Sequence, residues 1–330
     1  GGLFSDARAG GTSQIEISDA VFYDNTAQDL GGAVAGEGES GGTIRLQIDR
    51  SRFESNNEAV FVDSRENTTG EVEISESVFK DNQEALDIVW TGNSTGQLEI
   101  TDAAFDGNTG SAGGAINIIV GSNTAISPSI QNTTFTNNAV TGVAGAVFLR
   151  ATGTETGEVG TLTPTFTNVL FADNTADLKA GAVFTTTIEG GTVDASFINA
   201  TFAGNNASNP DESTQGGALI ARRFEDPDDP FRRDPGGPSK ITLINSILWD
   251  NSADSGNATY NDKGTISMSH TLIEGDVNGP NTGGDANDDA GNNLDATPQF
   301  ADADTPAGAD DSLRTVDDGL RLTASSPALN

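Results

Sequence analysis

The chain has 330 residues, 49 of them acidic against 16 basic, a formal net charge of −33 and no cysteine. That balance repels nucleic acid and anionic lipid, so no nucleic-acid partner is expected, and the missing thiols exclude disulfides and thiolate metal centres. No run of 18 apolar residues occurs, which excludes a helical membrane span, and no direct membrane insertion of this segment is expected.

A single compact core stops growing below this length, yet composition does not shift until near residue 276. With 40 Gly and 16 Phe but 2 Trp and 2 Tyr, the chain favours short strands joined by turns. A solenoid, whose core lengthens without thickening, reconciles the length with the uniform composition.

The first element is Ile15-Glu16-Ile17, apolar, polar, apolar, the alternation of a strand with one face inward. Residues 22–34, FYDNTAQDLGGAV, then follow with neither helical nor strand period, and Phe-x-x-Asn returns down the chain. The copies are Phe22/Asn25, Phe53/Asn56, Phe79/Asn82, Phe105/Asn108, Phe135/Asn138, Phe171/Asn174, Phe202/Asn205 and Leu248/Asn251, spaced by 26 to 46 residues. Such self-similarity marks units that bury their apolar face only by stacking on their neighbours.

Aligned on the Phe, each copy repeats the same columns. Five residues earlier stand Ile17, Ile48, Ile74, Ile100, Ile130, Phe166, Phe197, Leu243 and Met268. Three residues earlier stand Asp19, Arg50, Glu76, Asp102, Asn132, Asn168, Asn199, Asn245 and His270. Asn tolerates left-handed backbone and bonds nearby main chain, so this column and the Asn of Phe-x-x-Asn are expected to be two polar corners with amides linked from coil to coil. After the second corner come Gly31-Gly32-Ala33-Val34, Gly113-Gly114-Ala115-Ile116, Ala144-Gly145-Ala146-Val147, Ala180-Gly181-Ala182-Val183 and Gly216-Gly217-Ala218-Leu219. Two shorter units write Glu58-Ala59-Val60 and Glu84-Ala85-Leu86 instead. Another strand follows each, with Val60/Val62, Leu86/Ile88, Ile116/Ile118 and Val147/Leu149 inward. The expected fold is all-β, one right-handed parallel β-helix of nine to ten coils over residues 1–275, closed by an acidic segment 276–330 that finishes or caps it. Residues 221–240, rich in Pro and charge, are expected to leave the rod as an excursion.

Phe-x-x-Asn paired with Gly-Gly-Ala-apolar resembles the repeat of the polymorphic outer membrane proteins, secreted or surface-displayed adhesins and autotransporters of right-handed parallel β-helix fold. Residues 245–251 (NSILWDN), 296–300 (ATPQF) and 320–329 (LRLTASSPAL) are similar to the closing segment of bacterial surface β-helix proteins of the choice-of-anchor type. These resemblances imply a cell-surface or extracellular location and a partner that is a surface protein or a glycan; the open terminal coils of such a rod, β edges that need a cap or a partner, add a second copy of the chain as an alternative. The function expected is that of a non-catalytic adhesin or stalk.

Because lyases and glycosidases also use β-helices, the row Glu16, Glu73 and Glu99, interrupted by Gln47, is the place where an enzyme would keep its carboxylates. If Val147/Leu149 and Val183 face inward, Phe148, Phe184 and Ile220 face outward on successive coils. They then form either a binding face or a patch covered by Phe224 and Phe231 of the excursion. Phe61 shares this column but is separated from them by Asp87 and Asn117. Asp285, Asn287 and Asp289 place oxygens at alternate positions, as a Ca²⁺ loop would, without the Glu that closes an EF-hand; the alternative is a polar linker. His270, the single histidine, falls in a corner column and reads as a structural hydrogen-bonding group.

Overall fold

The structure is a computed structural model that describes residues 2–27, 31–154, 156–224, 236–309 and 318–329. Its strands form long stacks, each strand pairing in parallel with the equivalent strand one coil away, and the chain is a right-handed parallel β-helix. One wall stacks ten strands from Leu3–Arg8 to Thr282–Gly284, a second runs from Thr12–Ser18 to Asp288–Asp289, and a third stacks nine from Val21–Tyr23 to Leu272–Ile273. Nine full coils and a partial tenth result. The parallel pairings therefore run past residue 275, and the closing segment begins as a last partial turn.

Register explains the columns. Phe22 pairs with Phe53, Phe53 with Phe79, Phe79 with Phe105 and Phe105 with Phe135. Their rings lie nearly parallel with centroids 4.8, 4.8, 4.8 and 5.2 Å apart, which is the strand spacing of a sheet. The stack continues through Phe171 and Phe202, while Phe166 and Phe197 form a second stack 4.6 Å apart that meets it edge-on. Face-to-face stacking is not the geometry that isolated rings prefer; the backbone ladder imposes it. Apart from half-buried Phe22, these rings are fully buried.

The corner before each Phe behaves as expected: all nine residues from Asp19 to His270 take a positive φ, from 44° at Arg50 to 55° at Asn168. The corner after it needs a correction. Asn25, Asn56, Asn82, Asn108, Asn138, Asn174, Asn205 and Asn251 are not themselves the left-handed corner residues that the sequence suggests. The positive φ falls on the residue before each: Asp24 (52°), Ser55 (57°), Asp81 (53°), Gly107 (66°), Asn137 (55°), Asp173 (55°), Gly204 (66°) and Asp250 (55°). The turn made there points the Asn side chain inward, so that Asn174 and Asn205, like Asn82, Asn108 and Asn138, have no exposed surface.

What the Asn supplies is therefore hydrogen bonding rather than backbone geometry. The backbone N–H and Nδ2 of each Asn donate to Oδ1 of the next, at 2.8 to 3.2 Å, in an unbroken ladder from Asn25 to Asn251. Asn174 thus donates to Asn205, and Asn205 to Asn251, through Nδ2 at 2.9 Å in both cases. Every Nδ2 from Asn56 onward also donates to a Phe carbonyl, as Asn108 does to Phe79 at 3.0 Å. A buried amide so placed leaves few of its own or its neighbours' polar groups unpaired.

The Gly pairs divide their work. The first member carries the positive φ (Gly31 60°, Gly113 62°, Ala144 62°), and a Cβ on the second, as at Gly145 or Gly181, would meet the carbonyl of the next coil. Beyond the corner, four coils add a short fourth sheet, Thr109–Ala112, Ala139–Val143, Thr175–Ala176 and Asn206–Ala207. The second wall splits into paired fragments where Pro128 and Pro164, both buried, replace its usual apolar residue; proline has no N–H to give the ladder.

The excursion is narrower than the sequence suggests. Leu219–Arg223 and Ser239–Ile244 are wall strands. Its neck is closed by Phe224 N–H on Thr187 O, Gly236 N–H on Phe224 O and Arg223 Nε on Gly236 O. Phe231 and the rest of 225–235 lie outside the described residues.

Candidate functional site

The first wall carries the chain's least ordinary chemistry on its outer face. One outward column reads Ala35, Phe61, Asp87, Asn117, Phe148, Phe184, Ile220 and Tyr260 along successive coils. Phe148, Phe184 and Ile220 do lie outside the main core, with Phe148 and Phe184 stacked 5.8 Å apart. Their exposure departs from the open binding face and agrees with a covered patch. Phe184 is 4% and Ile220 1% exposed, packed in a separate small cluster with Ala144 and Ala180 and flanked by Val143, half-buried Phe148 and Tyr260. The methyl-sized residues that turn the corner roof this column, so it offers little open apolar surface.

Where the corner residues are Glu, the column becomes polar. Glu58 and Glu84 hold the corner at φ 54° and 57°, where other coils have Gly or Ala, and both are half-buried. With Asp87 they form a group whose carboxylate oxygens lie within 4.8 Å of one another. Gly31 N–H donates to Glu58, and Asn117 Nδ2 donates to Asp87 at 3.1 Å, while Asn117 Oδ1 is buried without a hydrogen-bond partner among the described residues. Burial, then Glu58, Glu84 and Asp63, push the Asp87 carboxyl up to about 7, against the donation from Asn117. Burial likewise raises Glu58 above the usual carboxylate range, with Gly31 N–H opposing and Glu84 adding to the rise. Asp63 on the neighbouring column is 4% exposed and bonded by Arg65 Nε at 2.9 Å; burial still raises it.

The second wall carries the Glu row. Glu16, Gln47, Glu73 and Glu99 stack in register beside Gln14, Arg45, Glu71 and Gln97. The row is cross-linked: Gln47 Nε2 donates to Glu73 at 2.9 Å, Gln14 to Glu16 at 2.5 Å and Gln97 to Glu99 at 2.6 Å, and Arg45 Nε meets Glu71 at 2.7 Å. A shallow cleft of about 300 Å³ runs between these side chains.

The candidate Ca²⁺ residues differ in burial. Asn287 is 6% exposed and turns inward, its Nδ2 donating to Thr259 Oγ1 at 3.1 Å and Val277 O at 2.8 Å. Asp285 and Asp289 are exposed, and Asp289 Oδ1 caps a turn by accepting from Gly291 N–H and Asn293 Nδ2. His270 meets Asn292 Nδ2 at 3.1 Å through Nε2 and belongs to the exposed corner row in which Asn168, Asn199 and Asn245 each donate to the preceding Asn.

The carboxylate group at Glu58, Glu84 and Asp87 was not anticipated as a site. The signal was present: the two units lacking the Gly pair are consecutive and 26 residues apart, so their Glu residues share a column, and Asp87 interrupts the apolar one.

Among the described residues no helix is long and apolar enough to cross a membrane. Comparisons with models of known families, with curated proteins and with solved structures find no match for this chain.

Proposed function

We propose that this chain is a non-catalytic extracellular β-helix, a stalk or adhesin segment that holds flat acidic walls toward a surface protein or glycan. What supports the reading above all is the unbroken Asn ladder beside the stacked rings, from the first coil to the eighth. It ties each coil to the next with saturated hydrogen bonds and makes a rod whose outer residues are free to vary. The likeness of Phe-x-x-Asn with Gly-Gly-Ala-apolar to polymorphic outer membrane protein repeats, and of residues 320–329 to choice-of-anchor proteins, supports display at a cell surface. The test is a glycan and host-protein array probed with the chain. Specific capture that survives moderate salt supports the reading, and uniform failure to bind counts against it.

A second reading, a polysaccharide-active enzyme, is favoured by the cleft that brings Arg45 among Glu71, Glu73 and Glu99. The engagement of each of those carboxylates by an amide or guanidinium weighs against it, since a general acid or base must be free to exchange a proton with substrate. Incubation with uronic-acid and neutral polysaccharides, followed by reducing-end analysis, separates the two.

A further inference from the structure

Glu58, Glu84 and Asp87 place like charges within 4.8 Å of one another on two adjacent coils. Each is half-buried, so water screens them poorly. The charged groups around them do not neutralise them. Asp63 beside them carries its own partner in Arg65, Glu37 and Glu39 on the preceding coil are acidic, and Asn117 on the following coil is neutral. Such a cluster is relieved by a cation or by a proton. The backbone group that reaches it, Gly31 N–H, is a fixed hydrogen-bond donor, which opposes a cation.

The orphaned Asn117 Oδ1 supplies a second observation. The two ends of an amide are assigned from the hydrogen-bond network. With Asp87 protonated, turning the Asn117 amide over lets the carboxyl O–H donate to Oδ1 in place of the present donation from Nδ2. One proton leaves solvent and bridges the cluster, and the Asn117 Nδ2 donation to Asp87 is exchanged for an O–H donation from Asp87 to Asn117 Oδ1.

We propose that Glu58, Glu84 and Asp87 share a proton and act as a pH-sensitive clasp joining the third and fourth coils, closed when protonated and loosened when all three carboxylates ionise. The clasp does not depend on what the rod binds. Its direction follows from linkage. A carboxyl raised in the folded state from about 4 to about 7 binds its proton more tightly folded than unfolded. Stability from the clasp is complete below the unfolded value, falls as pH rises through the interval, and is spent above the folded value.

The test is the full chain in chelator-containing buffer, compared with Asp87→Asn from pH 5 to pH 8. Readouts are the melting temperature and amide exchange of residues 58–91. Glu99→Gln, on the exposed second-wall row, controls for general charge repulsion in this acidic protein. The wild type and Glu99→Gln should show local opening that grows by a factor of about ten or more across that range, with Asp87→Asn nearly flat. Equal pH slopes for wild type and Asp87→Asn overturn the clasp. So does a rise in the wild-type melting temperature at pH 8 on adding millimolar Ca²⁺ that Asp87→Asn does not share, because the cluster then holds a cation. If Asp87→Asn fails to fold, Glu84→Gln replaces it with the same expected flattening, and an unflattened slope overturns the proposal.

Discussion

Asn82 is held twice by Asn108: the backbone N–H and Nδ2 of Asn82 both donate to Oδ1 of Asn108, each at 3.0 Å, in a place with no access to water. Truncating Asn108 to Ala leaves the Asn82 N–H buried without a partner and removes the donor to the Phe79 carbonyl. The expected loss is about 2–4 kcal/mol by chemical denaturation, most of it the cost of an unpaired buried group. Asn108→Asp should be worse, since a carboxylate would face the Asn138 Oδ1 that now accepts from Nδ2. At half-buried Asn25 on the first coil, Ala should cost under about 1 kcal/mol. Equal losses at both positions would show that the ladder is not what binds the coils.

Two kinds of Phe are distinguished by substitution. Phe105→Ala opens a cavity in the central stack and should cost about 3–5 kcal/mol. Phe184→Ser, in the smaller cluster under Ala144 and Ala180, should cost about 2–4 kcal/mol because a hydroxyl replaces a ring that is 4% exposed. A nearly silent Phe184→Ser would restore the picture of an open apolar face.

The coil order and the stacked Phe column were legible because stacking forces the same residue type to recur at the same place, and a column of identical residues is visible in one sequence. The Asn column was legible in the same way, but its role was not. Asn174 and Asn205 recur because an inward amide links three coils, whereas the turn itself is made by Asp173 and Gly204 before them. Packing across columns left no trace either. Nothing along the chain says that Ala144 and Ala180 roof Phe184, or that Gly70 and Gly96 are spaces left for the indole of Trp90 on the facing wall. Asp285, Asn287 and Asp289 show the same limit: alternate spacing along the chain does not say that Asn287 turns inward while Asp285 and Asp289 stay exposed.

Trp90 is fully buried, and a Cβ built on either Gly70 or Gly96 would overlap its indole ring. Gly70→Ala should therefore cost about 1–3 kcal/mol through overpacking. Trp90→Leu, destabilising by itself, should make Gly70→Ala nearly neutral in the double variant. Thermal denaturation of the four proteins closes the cycle, and additive losses would refute contact between the two positions.

Acid acts on a different group. Burial works to raise the half-buried Asp106 carboxyl, but donation from Asn137 Nδ2, Thr136 Oγ1 and Lys80 outweighs it and holds the carboxyl below its ordinary value. A depressed folded value means stability that is present above about pH 4 and lost as pH falls through the folded value. Asp106→Asn should flatten the melting-temperature profile on the acid side only, leaving the neutral range, where Asp87 titrates, unchanged.

The chain's closing segment forms a small lobe beside the third wall. Residues 298–309 and 318–326 pair with each other, through Ala301 N–H on Arg321 O and Asp302 N–H on Gly319 O, both 2.8 Å, and Ser326 Oγ donates to Pro298 O at 2.5 Å. Pro306, Leu320 and Arg321 of the lobe line a cleft of about 470 Å³ with Thr134, Leu170 and Thr201, outward residues of the third wall. Exposure along that outward column tracks the lobe: Val21 on the first coil is 69% exposed, whereas Thr134 on the fifth is 5%. A charge placed on the contact should undock the lobe without disturbing the stacked columns, which lie on the other face of the same strands. Leu320→Asp is therefore expected to raise the rate of limited proteolysis within residues 296–329 several-fold while moving the melting temperature of the coils little. A melting temperature that falls with the lobe's release would instead make the lobe part of the rod's own stability, and unchanged cleavage would mean that Leu320 does not hold it in place.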